Sequence, residues 1–73
     1  MSIHDEVIDE MRRQNEKWGE QNHAPLMWLS ILGEEYGEAC KAVIESNIDE
    51  YRKELVQVAA VVFQMIECLD RHK

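Results

Sequence analysis

From Ile3 almost to the end of the chain, apolar residues recur at steps of three and four. That period belongs to amphipathic helices, in which residues so spaced share one face. Ser2 stands three residues before Asp5, a helix-start signature. Ile3, Val7, Met11 and Trp18 follow at helical spacing with Ile8 beside them, and Gly19 is placed to end the run. The pattern predicts a first helix over residues 3–18, with Asp9 and Arg13 as an i,i+4 ion pair. Gly19-Glu20-Gln21-Asn22-His23-Ala24-Pro25 is the one real loop, and Pro25 suits the first turn of a second helix. That helix is expected to reach about residue 46. Its main stripe is Leu29, Leu32, Tyr36, Ala39, Cys40 and Val43, widened on one flank by Trp28, Ile31 and Ala42. Ser46 or Asn47 can cap a third helix, which runs from Ile48 to near His72 with apolar positions 51, 55, 58, 62, 66 and 69.

The third helix is apolar nearly all round, because only Gln57 and Gln64 are polar between Leu55 and Ile66. Such a helix must be covered on more than one side. In a chain of 73 residues, two partner helices cannot easily do that. The expectation is therefore a single all-α domain over residues 1–73, an antiparallel helical hairpin plus an N-terminal helix. Copies would assemble through the third helix into a multi-helix bundle, as a dimer or tetramer.

Charge narrows the partners. Fifteen acidic residues against eight Lys and Arg give a net charge of −7, with no basic cluster beyond isolated pairs. Duplex nucleic acid and anionic membrane surfaces are unfavourable partners for such a chain. No apolar run approaches a membrane span, and the first twenty residues are too polar for a signal peptide. Cys40 and Cys68 each fall within an apolar helical pattern and form no CxxC or Cys/His metal spacing, as expected of reduced thiols in a cytoplasmic protein.

Chemistry enters where the acidic residues border the apolar flank. Glu35 lies between Ile31 and Ala42 on the second helix, with Glu38 just beyond. Glu54 and Gln57 hold the same spacing on the third. If the two helices fold back antiparallel, these pairs face each other. Three carboxylates aimed at one point repel, and their ionised forms need a cation, Mg²⁺ or Mn²⁺, to coexist. A solvated acidic face would produce similar spacings. A second set lies in the loop, where Trp18 could stack on a nucleobase while Gln21, Asn22 and His23 read its edge. The competing reading docks Trp18 in the core and leaves the loop groups as helix caps. Trp28 and Tyr36 are expected in the core or an interface, and His4 and His72 in solvent. Lys41, Arg52 and Lys53 could meet phosphates, or simply pair with Glu45, Asp49 or Glu50.

Glu34-Glu35-x-x-Glu38 followed by Glu54-x-x-Gln57 resembles the Glu-Glu-x-x-Glu … Glu-x-x-Asp signature of the MazG-like all-α nucleoside triphosphate pyrophosphohydrolases. Lys17-Trp18-Gly19-x-Gln21-Asn22-His23 and the runs around Gly33–Ala39 and Glu54–Val61 extend the resemblance to residues 16–70, as in the short single-domain members. It implies Mg²⁺-dependent cleavage between the α- and β-phosphates of a nucleoside triphosphate, giving monophosphate and pyrophosphate. Glu35, Glu38 and Glu54 would be metal ligands, with Gln57 in the place of the final Asp. Glu34 would help to orient water, so that Glu34, Glu35, Glu38 and Glu54 form the catalytic group. Trp18, Gln21, His23, Lys41 and Lys53 would bind substrate. Gln57 departs from the pattern: its amide oxygen can ligate Mg²⁺ but brings no charge and cannot act as a base. That substitution keeps two alternatives open, a nucleotide binder without hydrolysis and a helical oligomerisation or partner-binding module.

Overall fold

In the computed structural model, which describes residues 1–72, the chain forms three helices: α1 (Ile3–Trp18), α2 (Pro25–Ile44) and α3 (Ile48–Arg71). Among the described residues there is no strand.

Local chemistry sets each boundary. Ser2 and Asp5 form a reciprocal capping box, with Asp5 N donating to Ser2 Oγ at 3.1 Å and Ser2 N to Asp5 Oδ2 at 3.4 Å. Gly19 ends α1 at φ 75°, ψ −178°, a conformation essentially reserved for glycine. Pro25 opens α2 at the position where its missing N–H is harmless. α2 stops at Ile44, slightly short of the expected end, in a Schellman motif. Asn47 N donates to Ala42 O and Ser46 N to Val43 O, which turns Ser46 to φ 55°. Asn47 then caps α3 by accepting from Glu50 N at 3.1 Å.

α3 is the spine. α1 and α2 each pack on it, but not on each other. Val7 and Met11 of α1 meet Ala60, with Val56 and Ala59 alongside. Trp28 of α2 meets Val61 and Cys68, with Ile31, Leu32 and Met65 around them. Arg52 also reaches across to Glu6 with two bonds of 2.8 and 2.7 Å, tying α3 to α1. The guanidinium holds the Glu6 carboxyl below its usual range, though a pair this exposed adds little stability. The expected Asp9–Arg13 pair does not form. Arg12 takes Asp9 and Arg13 takes Glu10, each one residue closer in sequence.

Two consequences shape the surface. The gap between α1 and α2 is a cleft floored by α3. Elsewhere on its surface α3 carries Leu55, Ile66 and Leu69 exposed to solvent, half of the stripe expected to be core. On α2, Leu29, Tyr36 and Val43 are exposed as well, while only Ala39 of its stripe is buried. The accessible surface is 5419 Å², against about 4700 Å² for a compact monomer of this size. No helix among the described residues is long and apolar enough to cross a membrane.

Candidate functional site

The antiparallel pairing of α2 and α3 brings Glu35, Glu54 and Gln57 together in the cleft. Glu54 is only 7% exposed, uncommon for a carboxylate that has no cationic partner among the described residues. Gln57 is oriented by its neighbours: with its nitrogen toward them it donates to Glu35 Oε2 at 3.1 Å and Glu54 Oε2 at 2.9 Å. The electrostatics follow from this crowding. Burial, then hydrogen bonding to Glu50, then the charge of Glu35 push Glu54 up to about 7. Glu54 therefore holds a proton far more readily near neutral pH than an exposed carboxylate does. Burial also raises Glu35, helped by the negative charges of Glu38, Glu10 and Glu34 and opposed by its hydrogen bond to Glu54. The Gln57 amide thus bridges two carboxylates that would otherwise repel, and their crowding favours the protonated form of Glu54.

Glu38 and Glu34 are exposed and act on Glu35 through their charge. Glu38 does not close onto the pair. Among the described residues no three His, Cys, Asp or Glu side chains converge tightly enough to hold a metal ion by themselves. The convergent set is instead two carboxylates and an amide. Turned about its last torsion, the Gln57 amide would present oxygen in place of nitrogen, making three oxygen donors suited to a hard divalent ion. Such a donor set would be of the oxygen-rich kind that Mg²⁺ or Mn²⁺ takes.

Next to the pair, a pocket of about 400 Å³ is lined by Trp18 and Gln14 of α1, Gln21 of the loop, Glu34 and Glu35 of α2, and Gln64 of α3, among others. Trp18 does not staple α1 to the core as one sequence reading held: it is 66% exposed, with Lys17 over its ring at 4.9 Å. It lies at the last turn of α1, beyond the part of that helix covered by α3. Gln21 lines this pocket, but His23 does not. His23 bonds Gln21 Oε1 at 3.0 Å, packs edge-on against Trp28 and faces a separate apolar hollow. Lys41 and Lys53 line neither hollow, and among the described residues neither forms an ion pair with Glu45, Asp49 or Glu50. Lys53 lies instead beside Arg52, Arg13 and Glu10 in a neighbouring depression.

The loop is fixed by the end of α3, which the sequence did not reveal. Arg71 donates to Asn22 Oδ1 at 3.0 Å and to Gln21 O at 3.1 Å, and His72 bonds the same Asn22 oxygen at 3.0 Å. His72 is exposed yet engaged. Trp28 is core as expected, but Tyr36 is exposed. Cys68 is buried and Cys40 half-buried, both free thiols. Gln14, Gln64 and Glu10 were also missed as site residues. The available signal was Gln64, one of just two polar residues inside the apolar run of α3. Comparison of the chain with protein-family models, curated proteins and solved structures finds no match in any of the three.

Proposed function

We propose that this protein is a Mg²⁺- or Mn²⁺-dependent nucleoside triphosphate pyrophosphohydrolase of the MazG-like kind, working as a homo-oligomer. The observation that carries the reading is the buried Glu54 pressed against Glu35, an arrangement costly to a fold and useful to a cation. Glu35, Glu54 and Gln57 would hold the ion, with Glu38 adding charge from one turn away. When bound, the ion would neutralise phosphate oxygens and lower the pKa of a coordinated water. Trp18 offers an exposed indole face to a base, and Gln21 lies within reach of the same pocket. Glu34, exposed on the pocket wall and not part of the converged pair, is the carboxylate free to accept a proton from water at its Oε atoms. The exposed apolar faces of α3 and α2, with the excess of accessible surface, support burial against a second copy.

Pyrophosphate release from a panel of common and modified triphosphates, with Mg²⁺ and with Mn²⁺, tests the reading. Turnover lost in Glu54→Ala supports it, and no turnover with any triphosphate overturns the enzymatic part. Gln57 favours one second reading, a nucleotide binder without hydrolysis. Calorimetric binding without product formation would select it.

A further inference from the structure

The buried seam between α1 and α3 begins apolar and ends in a polar pair. Val7 and Met11 of α1 rest on Ala60, with Val56 and Ala59 beside it. These partners are short, and apolar contacts are non-directional, so this part of the seam fixes the seating of α1 only loosely. Farther along α1, Gln64 Nε2 donates to Gln14 Oε1 at 2.7 Å. Gln64 is 6% exposed and Gln14 is half-buried. Gln14 is itself oriented: its nitrogen donates to Glu10 Oε2 at 3.0 Å, and Arg13 pairs with the same carboxylate. A hydrogen bond tolerates little displacement, and a buried amide that loses its partner costs more than the bond gains. Such a pair adds little net stability and selects one arrangement of the two helices.

Trp18 lies one turn beyond Gln14. It is 66% exposed, and α1 does not pack on α2, so the seating of α1 on α3 decides where the indole stands. The loop that follows is anchored to the same helix, because Asn22 Oδ1 accepts from Arg71 at 3.0 Å and bonds His72 at 3.0 Å. Trp18 is thus bracketed by two attachments to α3, Gln64 before it and the Arg71–His72 clamp after it. Trp18, Gln14 and Gln64 line one pocket, and Glu35 lines it too. On the nucleotide reading given above, we infer that the Gln14–Gln64 bond sets the distance between Trp18 and the Glu35–Glu54 pair. Gln14 and Gln64 are positioning residues that act through the indole, so that a base on Trp18 and phosphates on the cation are engaged together. A fit at both ends is sensitive, since an error of about 1 Å can cost about 10²-fold.

The test is a mutant cycle read by calorimetric affinity, which does not require turnover. The probes are the α,β-methylene analogues of ATP, GTP, CTP and UTP with Mg²⁺, and the tightest binder is carried through the variants. Trp18→Ala is expected to weaken it by about tenfold or more. The double variant Gln14→Leu with Gln64→Leu keeps the seam filled and removes the bond, and it is expected to weaken binding by about tenfold. With all three substitutions, affinity should lie within about twofold of Trp18→Ala alone, because the glutamines have no indole left to place. Losses that multiply overturn the inference and leave nucleotide binding intact, as does wild-type affinity in either Trp18→Ala or the double variant. A double variant that fails to fold in thermal melts also overturns it, since the bond would then hold the chain together rather than place Trp18. Wild type that binds none of the four analogues overturns the functional reading and this inference together.

Discussion

Two regions of α3 invert the usual rule of burial. Facing the cleft, Glu54 and Gln64 are nearly sealed from water. Away from those two groups, Leu55, Ile66 and Leu69 stand in solvent, at 44, 53 and 59% exposure. An isolated helix of a monomer would do the reverse, since buried polar groups cost free energy and exposed apolar ones forgo it. The contrast separates two demands on one helix. The cleft side gives up stability for a cluster of buried oxygen and amide groups, which the proposed function would use for a cation and a nucleotide. The apolar stripe gives it up for an exposed surface, which on the same proposal a second copy would cover.

The sharpest way to break the comparison is to change one side and watch the other. Glu54→Gln keeps the shape of the side chain and removes its charge. It is expected to lower pyrophosphate release by on the order of 10³-fold. The same variant should melt at a higher temperature than wild type at pH 8, because the repulsion with Glu35 is gone. A variant that melts lower would show that the acid pair stabilises the fold. Ile66→Glu places a charge in the exposed stripe. It should shift the particle to the monomer mass in light scattering while leaving the helical circular dichroism in place. An unchanged mass would assign the stripe to something other than self-association.

Proton linkage gives a smaller effect that reports on the cleft alone. The folded state holds Glu54 at about 7, above its value of 4.5 in the open chain, so between these values the native state binds the extra proton. Its contribution to stability is complete below pH 4.5 and is lost as pH rises through 7. The melting temperature without divalent ions should therefore fall from pH 5 to pH 8. Mg²⁺ should recover more of it at pH 8 than at pH 6, where protons compete for the same oxygens. A melting temperature flat across this range would remove the buried acid pair from consideration. The smallest effect is a control remote from both faces. Ser46→Gly relieves the left-handed residue that ends α2 and should stabilise the fold by about 1 kcal/mol in urea titration, with the cleft and oligomer unaltered.

Helix number, helix ends and the antiparallel hairpin were legible because they are encoded locally: Ser2, Gly19, Pro25 and Asn47 each act on the residues next to them. The meeting of Glu35 with Glu54 and Gln57 was also legible, since matched spacing on paired helices places them opposite. Less legible was which apolar residues would be covered. Helical period finds the stripe of Leu29, Tyr36 and Val43, but it does not say whether neighbour or solvent lies over it, and here α2 presents those three to solvent. Trp18 shows the same limit, because an aromatic at helical spacing lies in the core only if a partner helix reaches that far. The clamp of Arg71 and His72 on Asn22 joins residues about fifty apart, and nothing local announces it.

That α1 and α2 touch only their common support has a mechanical meaning. The width of the cleft is determined by how each wall is seated on α3, with no strut between the walls. The Gln14–Gln64 bond and the Arg52–Glu6 pair are two of the cross-ties that register α1 against the floor, while α2 is seated separately through Trp28. A molecule bound between Trp18 and Glu35 would itself become the missing strut, so that occupancy of the cleft and rigidity of the whole chain rise together.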